Sequence, residues 1–260
     1  MSDVNGKFLW YELMTTDPDP AADFYGKIVG WGTMSWEGAD VGTPYTMFTN
    51  GEVPMCGLME LPEEARAQGA PPHWLPYIGT PDTDATVEKA TSLGANVLVA
   101  PMSVPEVGRM AVLQDPQGAV FACYTPENPP PGHEGPPKVG EMSWHELLAT
   151  DWEAAWAFYS ELFDWNKTDA MDMGEAGIYQ MYGQGEQSFG GIFTKPDEVP
   201  GPAHWLIYAF VDDVTAKVET VKELGGTVLN GPMEVPGGSF IAQCIDPQGA
   251  AFAINSAGNV

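Results

Sequence analysis

Short segments of alternating or helically spaced apolar residues predict strands and helices along the whole chain. The segment Phe8 to Met14 alternates as a β-strand does. Asp17 and Pro18 then provide a helix N-cap followed by proline at the first helical position. Gly30 is placed to end the helix, whose apolar positions are Ala21, Phe24, Tyr25 and Ile28.

The following residues predict strands, a second helix and a hairpin. Strands are expected near 43–50, 53–60 and 74–80, and a helix from the Asp82 cap to Leu93, ended by Gly94. Further strands are expected near 96–99, 109–114 and 119–124. The turn Asp115-Pro116-Gln117-Gly118 joins the last two strands.

The chain contains the same pattern twice. Residues 73–124 align without a gap with residues 204–255 at an offset of 131, and 24 of the 52 positions are identical. Upstream, Trp10-x-Glu12 aligns with Trp144-x-Glu146 at an offset of 134. Each half is therefore expected to be one copy of a domain.

A proline- and glycine-rich stretch separates the copies. It has no apolar periodicity, and its prolines favour extended backbone, which is typical of a linker. We therefore expect domain 1 at residues 1–125, a linker at 126–138 and domain 2 at 139–260.

Charge and composition restrict the partners. The chain has 36 acidic and 10 basic residues, a net charge of −26 and a pI near 4.1. Such a surface repels phosphate backbones and anionic headgroups, so neither nucleic acid nor membrane is expected as a partner. Without a signal-like N-terminus or a long apolar run, the sequence indicates a cytoplasmic protein. Three cysteines without a C-x-x-C pair are expected to be buried free thiols: Cys56, Cys123 and Cys244.

The order of elements resembles the vicinal oxygen chelate superfamily, which includes glyoxalases, bleomycin-resistance proteins and extradiol dioxygenases. The resemblance rests on segments that recur in register in both copies: Asp17 to Trp31, Asp151 to Trp165, Leu113 to Tyr124 and Cys244 to Asn255. It implies an α+β fold of tandem glyoxalase-like domains. Each domain would contain two βαβββ modules that form a cup-shaped mixed sheet.

Metal-bearing members of this superfamily imply ligand positions that can be checked in this sequence. Counting from the helix caps and the D-P-x-G turns gives residues without a donor atom: Trp10, Leu75 and Ala122 in copy one, and Trp144, Leu206 and Ala253 in copy two. Glu60 could serve in copy one, but copy two has no equivalent. We therefore expect no metal and no cofactor.

Two matched Glu and His pairs are the candidate catalytic residues. Strand alternation places Glu12 and His73, and likewise Glu146 and His204, on the faces that would carry the ligand positions. If the strands run antiparallel, each Glu faces its His and favours the imidazolium. The pairs would then provide acid–base chemistry, or hold the two modules in register.

Candidate ligand-binding residues are mostly apolar. The tryptophans and the other apolar residues would either pack in the core or contact a ligand. Arg109 would either clamp an anionic ligand in the first cup or form a surface ion pair. The candidates are Trp10, Met59, Leu75, Arg109, Trp144 and Leu206.

Three functions remain open at this stage. The first is metal-free binding of a small apolar or aromatic molecule in one or both cups. The second is an enzyme, of lyase, isomerase or oxygenase type, that uses the Glu and His groups or a non-standard metal site. The third is an interaction module whose cups are filled by their own side chains. The chain is expected to be a monomer with an internal pseudo-dimer, or a homodimer.

Overall fold

The computed structural model describes residues 4–36, 45–128, 135–199 and 201–258. Sixteen strands in these residues form two eight-stranded mixed sheets, so the α+β fold expected from the sequence is confirmed. The strand order is β2-β3-β4-β1-β5-β8-β7-β6 in the first sheet and β10-β11-β12-β9-β13-β16-β15-β14 in the second. The start of the predicted strand at 43–44 and residues 129–134 of the predicted linker lie outside the described residues.

Each sheet is built by one sequence copy. The elements of the first copy are β1 Phe8–Thr15, α1 Pro18–Val29, β2 Gly32–Ser35, β3 Thr46–Asn50, β4 Val53–Glu60, α2 Glu63–Ala67, β5 His73–Gly79, α3 Thr83–Ser92, β6 Asn96–Val104, β7 Gly108–Gln114 and β8 Val120–Pro126. Those of the second copy are β9 Met142–Ala149, α4 Trp152–Phe163, β10 Asn166–Asp172, β11 Ile178–Gln184, β12 Gln187–Thr194, β13 His204–Phe210, α5 Val214–Glu223, β14 Thr227–Glu234, β15 Phe240–Ile245 and β16 Ala251–Ser256, with a single 3₁₀ turn at Gly174–Ala176.

The contacts along the chain define two compact units. The first unit comprises Met1–Trp10, Leu75–His133 and Trp144–Trp205, and the second comprises Tyr11–Trp74, Glu134–Ser143 and Leu206–Val260. Each unit thus takes residues from both sequence copies, whereas each sheet takes its strands from one.

The helices begin where the sequence indicates, by two different means. Asp151 accepts hydrogen bonds from the N–H groups of Glu153 and Ala154, as an N-cap should. Asp17 has the extended N-cap conformation but makes no side-chain cap bond, and Pro20 removes one of the two N–H groups that such a bond could use. Instead, the Gln248 side chain bonds both the N–H and the C=O of Asp17.

Large aromatic side chains fill the core of each unit. In the first unit, α3 and α4 cover a buried cluster that includes Phe121, Tyr159, Phe163, Tyr182 and Trp205. In the second unit, Tyr25 of α1 packs against Trp31, Phe48, Trp74 and Phe252. Strand residues whose side chains contact these helices face the core. The residues next to them in sequence face the opposite side of the sheet.

The cysteines agree with the sequence analysis, whereas some short elements were missed. The three cysteines are free and buried. Among the described residues, no helix is long and apolar enough to cross a membrane. Strand β2, the short helix α2 and the outer half of β6 were not predicted.

Candidate functional site

A row of four residues crosses the second sheet on the face away from α4. The ladder pairs Asp169 with Met181, Met181 with Gly191, and Gly191 with Glu146. Leu147, the neighbour of Glu146, belongs to the core beneath α4, so strand alternation directs Glu146 to the opposite face. We call this the front face of the second sheet, and it carries Trp144, Glu146, Tyr179, Met181 and Phe193.

Tyr179 connects the residues of this face. Its hydroxyl donates to Glu146 Oε1 at 2.9 Å and accepts from Trp144 Nε1 at 2.7 Å. Its ring stacks on Phe193 with a centroid separation of 5.6 Å. The ring lies over Gly191, where any Cβ would overlap it. The absence of a side chain at Gly191 is therefore what lets Tyr179 reach the Glu146 carboxylate.

The Glu146 carboxylate is buried, whereas the apolar side chains around it are partly exposed. Glu146 is 6% exposed. Trp144, Met181 and Phe193 are half-buried. The site thus combines a buried charged acceptor with partly accessible apolar side chains, which is the usual composition of a small-molecule pocket.

The first sheet repeats the central part of this arrangement. Glu12 pairs with Gly57, and a Cβ on Gly57 would meet both the Tyr45 hydroxyl and Glu12 Oε1. Tyr45 and Gly57 align with Tyr179 and Gly191 at the same offset of 134 that aligns the glutamates. Sequence reasoning missed both the tyrosine and the glycine, although this constant offset was visible.

The surroundings differ between the two sheets. In the first sheet the row reads Met34, Met47, Gly57 and Glu12, so a methionine replaces the Asp169 of the second sheet. Met59, one of the predicted ligand-binding residues, pairs with Met14 next to this row. The front face of the first sheet, defined by Glu12, Met14, Met34, Met47 and Met59, is therefore rich in flexible thioether side chains.

Each candidate histidine makes its hydrogen bond to a backbone carbonyl and not to the expected glutamate. His73 Nδ1 donates to the Pro71 carbonyl at 2.8 Å, and His204 Nδ1 to the Pro202 carbonyl at 3.1 Å. Burial lowers the pKa of both imidazoles, opposite to the effect of a neighbouring carboxylate. Each imidazole Nδ1–H therefore donates to a backbone carbonyl two residues away in sequence and not to a carboxylate. The polar partner of Glu146 is Tyr179.

Arg109 forms the surface ion pair that was one of its two expected roles. Its guanidinium donates through Nε and Nη2 to the two carboxylate oxygens of Asp84 on α3, and through Nη1 to Ser103 Oγ at 3.1 Å. The arginine lowers the pKa of Asp84 through this hydrogen bond. The guanidinium is thus directed at α3 in this structure, and its alternative role as a clamp for an anionic ligand stays a prediction.

The remaining predicted ligand-binding residues differ in accessibility. Leu75 and Leu206 are 1% and 5% exposed, so neither offers much surface to a ligand. Trp10 is half-buried on β1, as Trp144 is on β9.

The residues present do not fit a metal centre of the kind the superfamily implies. Indole, isobutyl and methyl groups at its ligand positions carry no donor for Zn²⁺, Mn²⁺ or Fe²⁺. Within the part of the chain that the structure describes, no three His, Cys, Asp or Glu side chains are grouped so that they could hold a metal ion.

The repeated Asp-Pro-Gln-Gly turns bind the sequence copies to each other inside each unit. Asp115 Oδ2 accepts from the Tyr159 hydroxyl at 3.1 Å, and Trp205 Nε1 donates to that hydroxyl at 3.3 Å. Gln117 Oε1 accepts from both N–H groups of Thr150 and Asp151. The sequence identified the turn, but no local pattern shows which distant residues it holds.

One open groove of about 580 Å³ lies in the first unit between α3 and the end of α4. Its lining is polar and includes Asn5, Asp82, Lys89, Asp164 and Gln184. Its lining includes Asn166 of β10 and Gln184 of β11, but none of the predicted site residues lines it.

Comparison with known proteins gives two family matches. Residues 142–254 match the Glyoxalase/Bleomycin resistance protein/Dioxygenase superfamily, and residues 10–124 match the Glyoxalase-like domain. Among curated relatives, "Putative glyoxylase CFP32" of Mycobacterium tuberculosis is 32% identical over 250 residues, covering 94% of this chain and 92% of the relative. "Anthracycline biosynthesis protein DnrV" of Streptomyces peucetius is 30% identical over 264 residues, covering 94% and 91%.

Solved structures agree on the fold. The Mn(II)-bound glyoxalase from Novosphingobium aromaticivorans aligns with a TM-score of 0.62 at 14% identity, over 98% of this chain and 83% of its own. A 4-hydroxymandelate synthase variant from Streptomyces coelicolor aligns with a TM-score of 0.64 at 15% identity, over 98% and 94%. The repeated βαβββ order, the two mixed sheets and the full-length relatives together establish that this chain belongs to the glyoxalase/bleomycin resistance protein/dioxygenase superfamily, as a tandem two-domain member.

Proposed function

We propose that the front face of the second sheet binds a small aromatic molecule without a metal. The observation that carries the proposal is the hydrogen-bonded Glu146–Tyr179 pair, buried beneath partly accessible Trp144, Met181 and Phe193. Aromatic and thioether side chains favour contact with a flat aromatic ring. The pair supplies a polar group that would orient a ligand hydroxyl.

Charge narrows the class of ligand further. The net charge of −26 and a carboxylate within the site disfavour an anionic ligand. A neutral or cationic aromatic molecule with a hydrogen-bond donor avoids that repulsion. A relative named for anthracycline biosynthesis is consistent with this class, because anthracyclines are polycyclic aromatic compounds.

The proposal can be tested with two matched probes. 2-Naphthol has a hydroxyl donor, whereas 2-methoxynaphthalene has the same ring system without one. Calorimetric titration should show saturable binding of both, with 2-naphthol bound more tightly because its hydroxyl reaches the Glu146–Tyr179 pair. Glu146→Gln should reduce the preference for the hydroxyl about three- to tenfold, since a hydrogen bond to a charged group is roughly twice as strong as a neutral one.

Matched tryptophan variants separate this site from non-specific binding. Trp144→Leu removes an aromatic residue of the front face. Trp152→Leu removes one on α4, where Trp152 lies under the Lys167 ammonium. Trp144→Leu should weaken naphthol binding at least fivefold, and Trp152→Leu should leave it nearly unchanged. Equal effects of the two variants, or the absence of saturable binding up to the solubility limit, would refute the proposal.

A further inference from the structure

The row that crosses the second sheet has an acidic side chain at each end. Glu146 stands at one end, and Asp169 on the edge strand β10 stands at the other, with Met181 and Gly191 between them. Three strand spacings of about 4.8 Å separate the two backbones by about 14 Å. A hydrogen bond of about 2.8 Å at each end leaves about 9 Å between the two bonded atoms of the ligand, which is about the span of a small fused aromatic system with a substituent at each end.

The ends of the row differ in accessibility. Glu146 is buried and bonded to Tyr179, whereas Asp169 is exposed and bonded through Oδ1 only to the N–H of Ala170 at 2.8 Å. A hydroxyl suits the enclosed end, where one directed hydrogen bond can form. A cation suits the exposed end, since an ammonium can keep part of its hydration there.

A β-bulge separates the charges on β10. The register shifts between Lys167 and Asp169, which directs the two side chains to opposite faces. The Lys167 ammonium lies 4.8 Å from the centre of the Trp152 ring and 5.5 Å from that of Trp156, both on α4. The cation nearest in sequence is therefore engaged on the other face, and it does not neutralise Asp169 on the front face.

We propose that the second-sheet site selects an elongated aromatic molecule that carries a hydroxyl at one end and a cationic amine at the other, with the amine held by Asp169. This inference rests on the proposed function of the same site. The first sheet has Met34 where the second has Asp169, so this position of its row carries no charge. The two sheets thus differ in ligand class while sharing their central tyrosine, glutamate and glycine.

The test compares 6-(aminomethyl)-2-naphthol with 6-methyl-2-naphthol. The two compounds share the ring system and the hydroxyl, but only the first carries a cation at the far end. At low ionic strength the amine should bind about three- to fivefold more tightly, as expected for one exposed charge pair. Asp169→Asn should abolish the preference and leave the affinity for the methyl compound unchanged.

Asp172→Asn is the matched control. Asp172 lies exposed on the same strand, but strand alternation directs its side chain to the face opposite to that of Asp169. Asp172→Asn changes the net charge by the same amount as Asp169→Asn. The preference for the amine should survive in this variant. A preference for the amine that persists in Asp169→Asn, or that falls equally in both variants, overturns the inference. If the methyl compound still binds in that case, the proposed function stands. If the methyl compound does not bind the wild-type protein, both fall together.

Discussion

His145 should make the stability of this protein depend on pH between the ordinary pKa of its imidazole, 6.5, and its folded pKa of about 4. Its imidazole is 7% exposed and stacks on the Phe8 ring with a centroid separation of 3.6 Å and an interplanar angle of 4°. Nδ1 lies 2.8 Å from the Phe189 carbonyl, so that nitrogen carries the proton and donates. The ring is thus held neutral in an apolar environment.

The expected magnitude follows from this burial. Loss of solvation lowers the pKa of His145 from its ordinary value of 6.5 to about 4. Because the folded pKa lies below the unfolded pKa, the unfolded chain binds the proton first as the pH falls. One pKa unit corresponds to about 1.36 kcal/mol, so the folded state should lose about 3 kcal/mol between pH 6.5 and pH 4 through this group.

The assay is denaturant unfolding of the wild type and His145→Phe at several pH values between 7.5 and 4. The many carboxylates titrate equally in both proteins, so the difference in unfolding free energy isolates the histidine. Relative to the variant, the wild type should become progressively less stable below about pH 6.5. A difference in free energy that stays constant with pH would show that the folded-state pKa of His145 equals that of a solvated imidazole, contrary to its burial against Phe8.

Three further outcomes are expected. Tyr159→Phe should lower the unfolding free energy by about 1 to 3 kcal/mol, because it leaves buried Asp115 and the Trp205 N–H without the shared hydroxyl; a change below about 0.5 kcal/mol in urea unfolding would contradict this. Gly191→Ala should displace the Tyr179 ring and abolish naphthol binding, and the double variant with Tyr179→Ala should lose less stability than the sum of the single changes in a double-mutant cycle. With a net charge of −26, the thermal midpoint should rise as NaCl increases from about 10 mM to about 0.5 M, and a flat or falling midpoint would show that charge repulsion is negligible.

The sequence predicted those elements that bury a continuous apolar face. Strand β1, helices α1 and α3 and the hairpin of β7 and β8 were all expected, within about two residues of their observed bounds. Strand β2, Gly32–Ser35, was missed because all four of its residues are exposed, so it shows no alternation between buried and exposed positions. The outer half of β6 was missed for a related reason, since Pro101 and a register shift interrupt its pattern.

The site was predicted only in part because its geometry depends on distant residues. The repeat identified Glu146 and Trp144, and alternation assigned them to one face. The sequence favoured His204 as the partner of Glu146, because antiparallel pairing of their two strands would place the two residues opposite each other. Instead, Tyr179 reaches the carboxylate across Gly191, a path that requires the strand register, and the histidine satisfies its donor on the Pro202 carbonyl.

The two sheets share the residues around the central glutamate and differ in the residues at the outer end of the row. In the second sheet the Tyr179 hydroxyl donates to the buried Glu146 carboxylate. The same arrangement of a glutamate, a glycine paired with it and a tyrosine over that glycine recurs in both copies. A structural role alone would explain its repetition. The residues around it need not repeat for stability, and they differ: Met34 in one row is replaced by Asp169 in the other. Selection between ligands should therefore reside in the outer strands β2 and β10, and exchanging residues there should alter affinity for a cationic ligand while leaving the unfolding free energy nearly unchanged.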